Sequence, residues 1–276
     1  MDYRVVWVHG IGPTQPGYSK DWDQVYNPYL NFPVTDFIEV YWADVYSAKL
    51  SVDNVGTNMI TMPLTTQEQL VEAQVRKALT TVLLARITAQ VQTPALLGEW
   101  SQFTNKVATG QALLPPWVLN PDAYIGEFVK YLVSREVRNA VKGKAKEQLR
   151  LLANNGCNCS ILAHSWGTVV AYESLLDLET EMPAFQLAHL FTLGSPLWLV
   201  HYLLDDSSGR KPRNVTNWVN IHAQGDMVGA GLTPGFQDDA DYGVASFGNG
   251  DPHGSYFVDG NMAVEHDIVA LTILGH

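Results

Sequence analysis

The chain has 276 residues, of which 46% are hydrophobic, and a formal net charge of −11 at pH 7. This length is sufficient for one large hydrophobic core, as in many single-domain α/β proteins. The negative charge disfavours binding to nucleic acid or to an anionic lipid surface. The two cysteines are too few for a zinc site.

The first residues lack the long apolar core and the cleavage site of a signal peptide. No apolar run reaches the roughly 18 residues that would cross a bilayer, because Arg86 interrupts the best candidate. We therefore expect a cytoplasmic protein without a transmembrane segment.

The first two predicted elements are strands. Residues 4–8 are apolar on both faces and rich in valine, which is typical of a buried parallel strand. This strand ends at the turn residues His9-Gly10-Ile11-Gly12-Pro13. A second strand is predicted from Phe37 to Trp42.

A largely helical block follows. Residues 65–68 match a capping box and precede apolar residues at helical spacing, so we expect a helix that ends before Pro94. A second helix is predicted over residues 96–107 and a third region from Asp122 to Ala153, with an interruption near Gly143. Residues 50–120 are interpreted as a helical insertion that lies over a sheet.

The remainder of the chain alternates between strands and helices. Strands are expected over residues 159–163, 189–193, 218–223 and 244–247, and helices over residues 166–178 and 262–274. This alternation predicts one α/β domain over residues 1–276, with a mainly parallel sheet and helices on both faces. The helical insertion precedes the strand at 159–163.

Ser165 stands between a predicted strand and a predicted helix, in the peptide Ala163-His164-Ser165-Trp166-Gly167. A serine hydroxyl is a poor nucleophile at neutral pH, and it needs a base and a rigid, exposed position. A sharp strand-to-helix turn provides that position, but requires small residues two before and two after the serine, as Ala163 and Gly167 are. The alternative is a serine that only caps the helix. The residue pattern together with its setting favours the nucleophile.

This peptide resembles the nucleophile elbow of the α/β-hydrolase fold, in particular that of lipase-like serine esterases, with Ala163 where glycine is usual. The resemblance implies an oxyanion hole formed by two backbone N–H groups. One belongs to Trp166, and the other belongs to Ile11 in the loop after the first strand. We expect His9 to hold that loop through a ring hydrogen bond.

In this fold the acid and the histidine follow the serine in chain order. The resemblance implies Asp226 as the acid, directly after the strand at 218–223, with Asp205 and Asp206 in reserve. It implies His253 as the base, between the last strand and the last helix, with His266 as the second candidate. No metal or organic cofactor is required by this chemistry.

Candidate substrate-binding residues are Leu197, Trp198 and Tyr256, which lie close in sequence to the expected site. Large apolar residues of the insertion either line an acyl pocket or pack the insertion onto the core: Trp100, Phe103, Leu113, Leu114 and Trp117.

The expected function is a serine carboxylic-ester hydrolase that acts on a small-molecule or lipid-like ester. The same triad also serves amide or thioester hydrolysis, since fold does not dictate chemistry. A true lipase, with the insertion as an interfacial lid, is a further alternative. A noncatalytic binding module is the last, and it would predict an incomplete triad.

Overall fold

The computed structural model describes residues 3–12, 14–30, 37–47, 65–91, 121–245, 252–257 and 263–274. Within them, six strands form one sheet in the spatial order second, first, third, fourth, fifth and sixth, and all neighbouring strands are parallel. The strands are β1 (Tyr3–Val8), β2 (Phe37–Val40), β3 (Asn158–His164), β4 (Leu187–Leu193), β5 (Val215–Ala223) and β6 (Ala240–Val244).

Helices connect the strands and flank the sheet. In the described residues they are α1 (Ser19–Leu30), α2 (Asp44–Ser47), α3 (Thr66–Val91), α4 (Pro121–Val133), α5 (Arg135–Asn154), α6 (Trp166–Glu181), α7 (Leu197–Val200) and α8 (Ala263–Leu274). Two single turns of 3₁₀-helix cover His201–Leu203 and Ser255–Phe257. None of the helices in the described part of the chain is long and apolar enough to cross a membrane.

The sheet is buried on both faces, which explains why the strands are apolar at successive positions. In β1, Val5 and Trp7 pack with residues of α1 and α8, whereas Val6 and Val8 pack with residues of α5 and α6. Successive side chains of a strand point to opposite faces, so both faces need apolar residues. The predicted fold class, a mainly parallel sheet with helices on both faces, is confirmed.

The strand order reverses at β1. The chain passes from β1 to β2 on one side, and β3 then pairs with β1 on the other side. In open parallel sheets, ligands bind at such a switch point, beyond the carboxyl ends of the strands. Val8 is paired with Ala163, and His164 with Leu193, so the segments that follow these strands begin at the same edge.

Three elements differ most from the sequence prediction, whereas the ends of several others are displaced by two or three residues. The helix predicted from 122 to 153 is divided at Ser134, which is extended (φ −101°, ψ 109°), and continues through Gly143. The last strand begins at Ala240 rather than at 244, and residue 247 lies outside the described residues. Helix α1 was not predicted, although Trp22, Tyr26 and Leu30 follow helical spacing.

Residues 65–91 of the predicted insertion are described. Glu68 N–H donates to Thr65 Oγ1 at 3.2 Å, and Thr65 N–H donates to Glu68 Oε2 at 2.8 Å, so the capping box before α3 is present. Helix α3 packs against α4. The helix predicted over 96–107 and the apolar candidates between Trp100 and Trp117 lie outside the described residues.

Candidate active site

Three side chains that are far apart in sequence meet at the carboxyl edge of the sheet. His253 Nε2 lies 2.8 Å from Ser165 Oγ, and His253 Nδ1 lies 3.0 Å from each carboxylate oxygen of Asp226. A carboxylate only accepts hydrogen bonds, so Nδ1 carries the proton and Nε2 accepts from the serine hydroxyl. The arrangement therefore places a base against the hydroxyl and an acid behind the base.

The backbone of Ser165 makes a sharp turn between β3 and α6. Its φ of 55° and ψ of −130° are rare for a residue with a Cβ atom, and among the described residues Ser165 is the only non-glycine with positive φ. Ser165 N–H donates to Leu193 O at 2.9 Å, which ties the turn to β4. Such strain concentrates at functional sites, where the surrounding structure enforces it.

Two glycines allow the β1 segment to approach this turn. A Cβ atom on Gly167 would lie 2.4 Å from His9 O, and one on Gly10 would lie 2.6 Å from Ser165 Cβ. Neither position has room for a side chain, because the opposing atoms belong to the backbone or to the serine itself. The small residue required at 167 therefore has a direct steric cause.

A buried relay of hydroxyl groups holds the Ser165 carbonyl. Thr168 Oγ1 donates to Ser165 O at 2.7 Å, and its oxygen then accepts from Ser195 Oγ at 2.7 Å. Ser195 Oγ in turn accepts from Leu197 N–H at 3.2 Å. Sequence reasoning missed Thr168 and Ser195, since isolated hydroxyl residues give no distinctive signal.

The Asp226 carboxylate is fully enclosed and strongly hydrogen-bonded. Its Oδ1 accepts from the N–H groups of Val228 and Gly229, both at 2.8 Å, and its Oδ2 accepts from the Tyr256 hydroxyl at 2.9 Å. Burial alone raises the pKa of Asp226, but the charge and hydrogen bond of His253 and the N–H groups of Gly229 and Val228 outweigh it and lower the pKa below its usual value. The acid is therefore ionised at neutral pH.

His253 is held by the residue that precedes Ser165. His164 Nε2 donates to His253 O at 2.8 Å, and the two rings lie 4.8 Å apart. Burial, followed by the neighbouring His253, lowers the pKa of His164 to about 3. A neutral His164 thus anchors the loop that carries His253, a role that the sequence did not indicate.

His9 holds the loop after β1 through the expected ring hydrogen bond. Its Nδ1 donates to Gly10 O at 2.6 Å, its Nε2 accepts from Trp42 N–H at 3.2 Å, and its ring stacks on the Trp42 ring. Burial lowers the pKa of His9 to about 4, so it is neutral. The loop that contains Ile11 is therefore fixed beside Ser165.

The two expected oxyanion donors lie on segments that adjoin the nucleophile. Trp166 is the first residue of α6, where backbone N–H groups have no partner within the helix. Ile11 follows Gly10, which packs against Ser165. Both segments therefore lie against Ser165, and the N-terminus of a helix favours negative charge near it.

The three expected substrate-binding residues differ in their exposure to solvent. Trp198 is half-buried, and its indole N–H donates to Val228 O at 2.8 Å beside the acid loop. Leu197 and Tyr256 are both 0% exposed. Neither therefore offers surface to a substrate in this structure, and Tyr256 lies behind Asp226 instead.

The reserve acids, Asp205 and Asp206, have partners other than the histidine of the triad. Asp205 and Asp206 form ion pairs with arginine side chains, at 2.9 and 3.1 Å. His222 forms a separate pair with Asp241 at 3.1 Å. His266 belongs to α8, and its side chain lies outside the description.

A scan against models of protein families finds no match for this chain, and a search of the curated proteins finds no relative. In the described residues, no three His, Cys, Asp or Glu side chains are grouped so that they could hold a metal ion. Functional inference therefore depends on the geometry of the site.

Proposed function

We propose that this chain is a serine hydrolase of the α/β-hydrolase, lipase- or esterase-like type that cleaves carboxylic esters through an acyl-enzyme on Ser165. His253 carries this assignment, since it joins Ser165 Oγ at 2.8 Å to Asp226 at 3.0 Å. The strained turn at Ser165 and its position at the switch point of the sheet support it.

In the first half of the reaction, Ser165 Oγ attacks the carbonyl carbon of the ester while its proton moves to His253 Nε2. Asp226 keeps the imidazole in the correct tautomer and stabilises its positive charge. The tetrahedral oxygen is assigned to the N–H groups of Ile11 and Trp166. Collapse breaks the bond to the alcohol, which leaves with the proton from Nε2.

In the second half, water attacks the acyl-enzyme and gives a proton to His253 Nε2. Collapse then releases the carboxylic acid and returns that proton to Ser165 Oγ. Each step uses side chains, backbone N–H groups and water, so no cofactor is assigned. The substrate class that we assign is a small-molecule or lipid-like ester. An ester is a better substrate than an amide because an alcohol leaves more readily than an amine.

The first test is covalent labelling by a fluorophosphonate, which reports an activated serine without knowledge of the substrate. We expect one adduct on the wild type, mapped to Ser165 by peptide mass analysis, and none on Ser165→Ala. His253→Gln should label at least about a hundredfold more slowly, since general-base catalysis contributes about 10²–10⁴-fold.

His222→Gln is the matched control, because His222 also contacts an aspartate, Asp241, at 3.1 Å. It should label at the wild-type rate. An adduct on another serine, or equal loss in both histidine variants, would contradict the assigned triad. Esters, thioesters and amides with the same acyl group would then define the preferred bond.

A further inference from the structure

The Tyr256 side chain is buried between the acid and a strand end. It lies on the 3₁₀ turn three residues after His253, and its side chain is 0% exposed. Its hydroxyl accepts from Ala223 N–H at 2.7 Å and donates to Asp226 Oδ2 at 2.9 Å. The same short segment therefore carries the base and a donor to the acid.

The hydroxyl adds a donor on the second oxygen of the carboxylate. Asp226 Oδ1 accepts from the N–H groups of Val228 and Gly229, whereas Oδ2 accepts from the Tyr256 hydroxyl. Both oxygens are 3.0 Å from His253 Nδ1. Donors on both oxygens prevent the carboxylate from rotating away from the imidazole.

We propose that Tyr256 is a positioning residue that fixes the Asp226 carboxylate and limits the basicity of His253. This inference rests on the proposed function of the same triad. Because Tyr256 has no exposed surface, it acts through Asp226 and does not contact the substrate.

The sign of the electrostatic effect follows from the direction of the O–H bond. Its positive end points at the carboxylate and neutralises part of the negative charge that stabilises a protonated His253. Further titratable groups near Tyr256 in the described residues include His164, whose ring lies 5.6 Å away, and Tyr26, whose hydroxyl donates to Tyr256 O at 3.4 Å. Neither donates to the carboxylate in place of Tyr256.

The test compares Tyr256→Phe with Tyr172→Phe. Tyr172 is also 0% exposed, but its hydroxyl donates to Arg210 O at 3.0 Å, away from the triad. The pKa of His253 is measured by NMR titration, assigned with His253→Gln, and the pH dependence of fluorophosphonate labelling is measured in parallel.

For Tyr256→Phe we expect the pKa of His253 to rise by about half a unit to one unit. The apparent pKa of the acid limb in the pH profile of the labelling rate should rise by the same amount. The maximal labelling rate should fall about tenfold, because the acid is less well oriented. Tyr172→Phe should leave both unchanged. An unchanged His253 titration in a folded Tyr256→Phe protein would overturn the proposal.

Substitution of Tyr256 by 3-fluorotyrosine keeps the ring and provides a second variant if Tyr256→Phe does not fold. Its hydroxyl is a stronger donor, so the His253 pKa should move in the opposite direction, to lower pH. No shift, or a shift upward, would refute the role of the hydrogen bond. A wild type that does not react with the phosphonate would refute the esterase proposal alone, since the NMR titration needs no activity.

Discussion

Ser165 holds a backbone conformation that costs free energy, so glycine should be more stable than alanine at this position. Its φ of 55° and ψ of −130° lie where residues with a Cβ atom are rarely found. Both Ser165→Gly and Ser165→Ala remove the hydroxyl and its hydrogen bond to His253. Only Ser165→Gly also removes the Cβ atom, so the comparison isolates the backbone strain.

Two opposing effects set the size of the difference. Strain of this kind costs about 1–3 kcal/mol, and glycine relieves it. The greater freedom of glycine in the unfolded chain disfavours it by about 0.5–1 kcal/mol. We therefore expect the free energy of unfolding of Ser165→Gly to exceed that of Ser165→Ala by about 0.5–2 kcal/mol.

Urea unfolding measures this difference, provided that the m-values of the two variants agree. Gly143 is the matched control, since it lies inside α5 and a Cβ atom there would meet nothing within 4 Å. Gly143→Ala should therefore stabilise the protein by about 0.5–1 kcal/mol. If alanine is more stable than glycine at both positions, Ser165 is not strained and the interpretation of the turn is wrong.

Three further predictions concern the buried charges and histidines. Glu173→Gln removes one partner of a buried bidentate pair with Arg138, and urea unfolding should show a loss of about 3 kcal/mol. Burial lowers the pKa of His9 from 6.5 to about 4, so the free energy of unfolding of the wild type decreases as the pH falls from 6.5 to 4. In His9→Gln this decrease should be smaller by about 3 kcal/mol, as measured by urea unfolding. Asp226→Asn should slow fluorophosphonate labelling by about a thousandfold or more, because an amide that donates to His253 selects the wrong tautomer.

The positions of the triad residues relative to the strands were predictable from the sequence. Ser165 and Asp226 follow largely apolar segments that were predicted as strands, and parallel strands end at the same edge of a sheet. This principle brings Ser165 and Asp226 close to His253, which is 88 positions from the first and 27 from the second in the chain. The order of the predicted strands along the sequence therefore indicates which residues meet at the site.

The ends of helices and strands that are set by packing could not be predicted in the same way. Gly143 was expected to interrupt a helix, but its neighbours Val141 and Ala145 are buried in the core, and this packing outweighs the low helix propensity of one glycine. The edge strand β6 contains Asp241, which accepts from Asn220 and His222 of β5, so polar contacts fix a segment that hydrophobic periodicity does not identify.

The directions in which side chains near the site point could not be predicted from the sequence either. Tyr256 was expected to border the substrate because it is close to His253 in the chain. Instead, Tyr256 lies in the 3₁₀ turn Ser255–Phe257, and its hydroxyl contacts Asp226 Oδ2, as His253 Nδ1 does. His164 is the last residue of β3, and its ring contacts the backbone of His253, which is 89 positions away in the chain.

The positions of Asp226 and His253 depend on two glycines, Gly194 and Gly229, at which two backbone segments approach each other closely. A Cβ atom on Gly229 would lie 2.4 Å from Gly194 Cα and 2.5 Å from Asp226 Oδ2. One on Gly194 would lie 2.8 Å from Tyr256 Cε2 and 3.2 Å from His253 Nδ1. Any side chain at either glycine would therefore displace the acid from the base. In a sequence, such glycines are interpreted only as turn residues, whereas in this fold they determine the distance between Asp226 and His253.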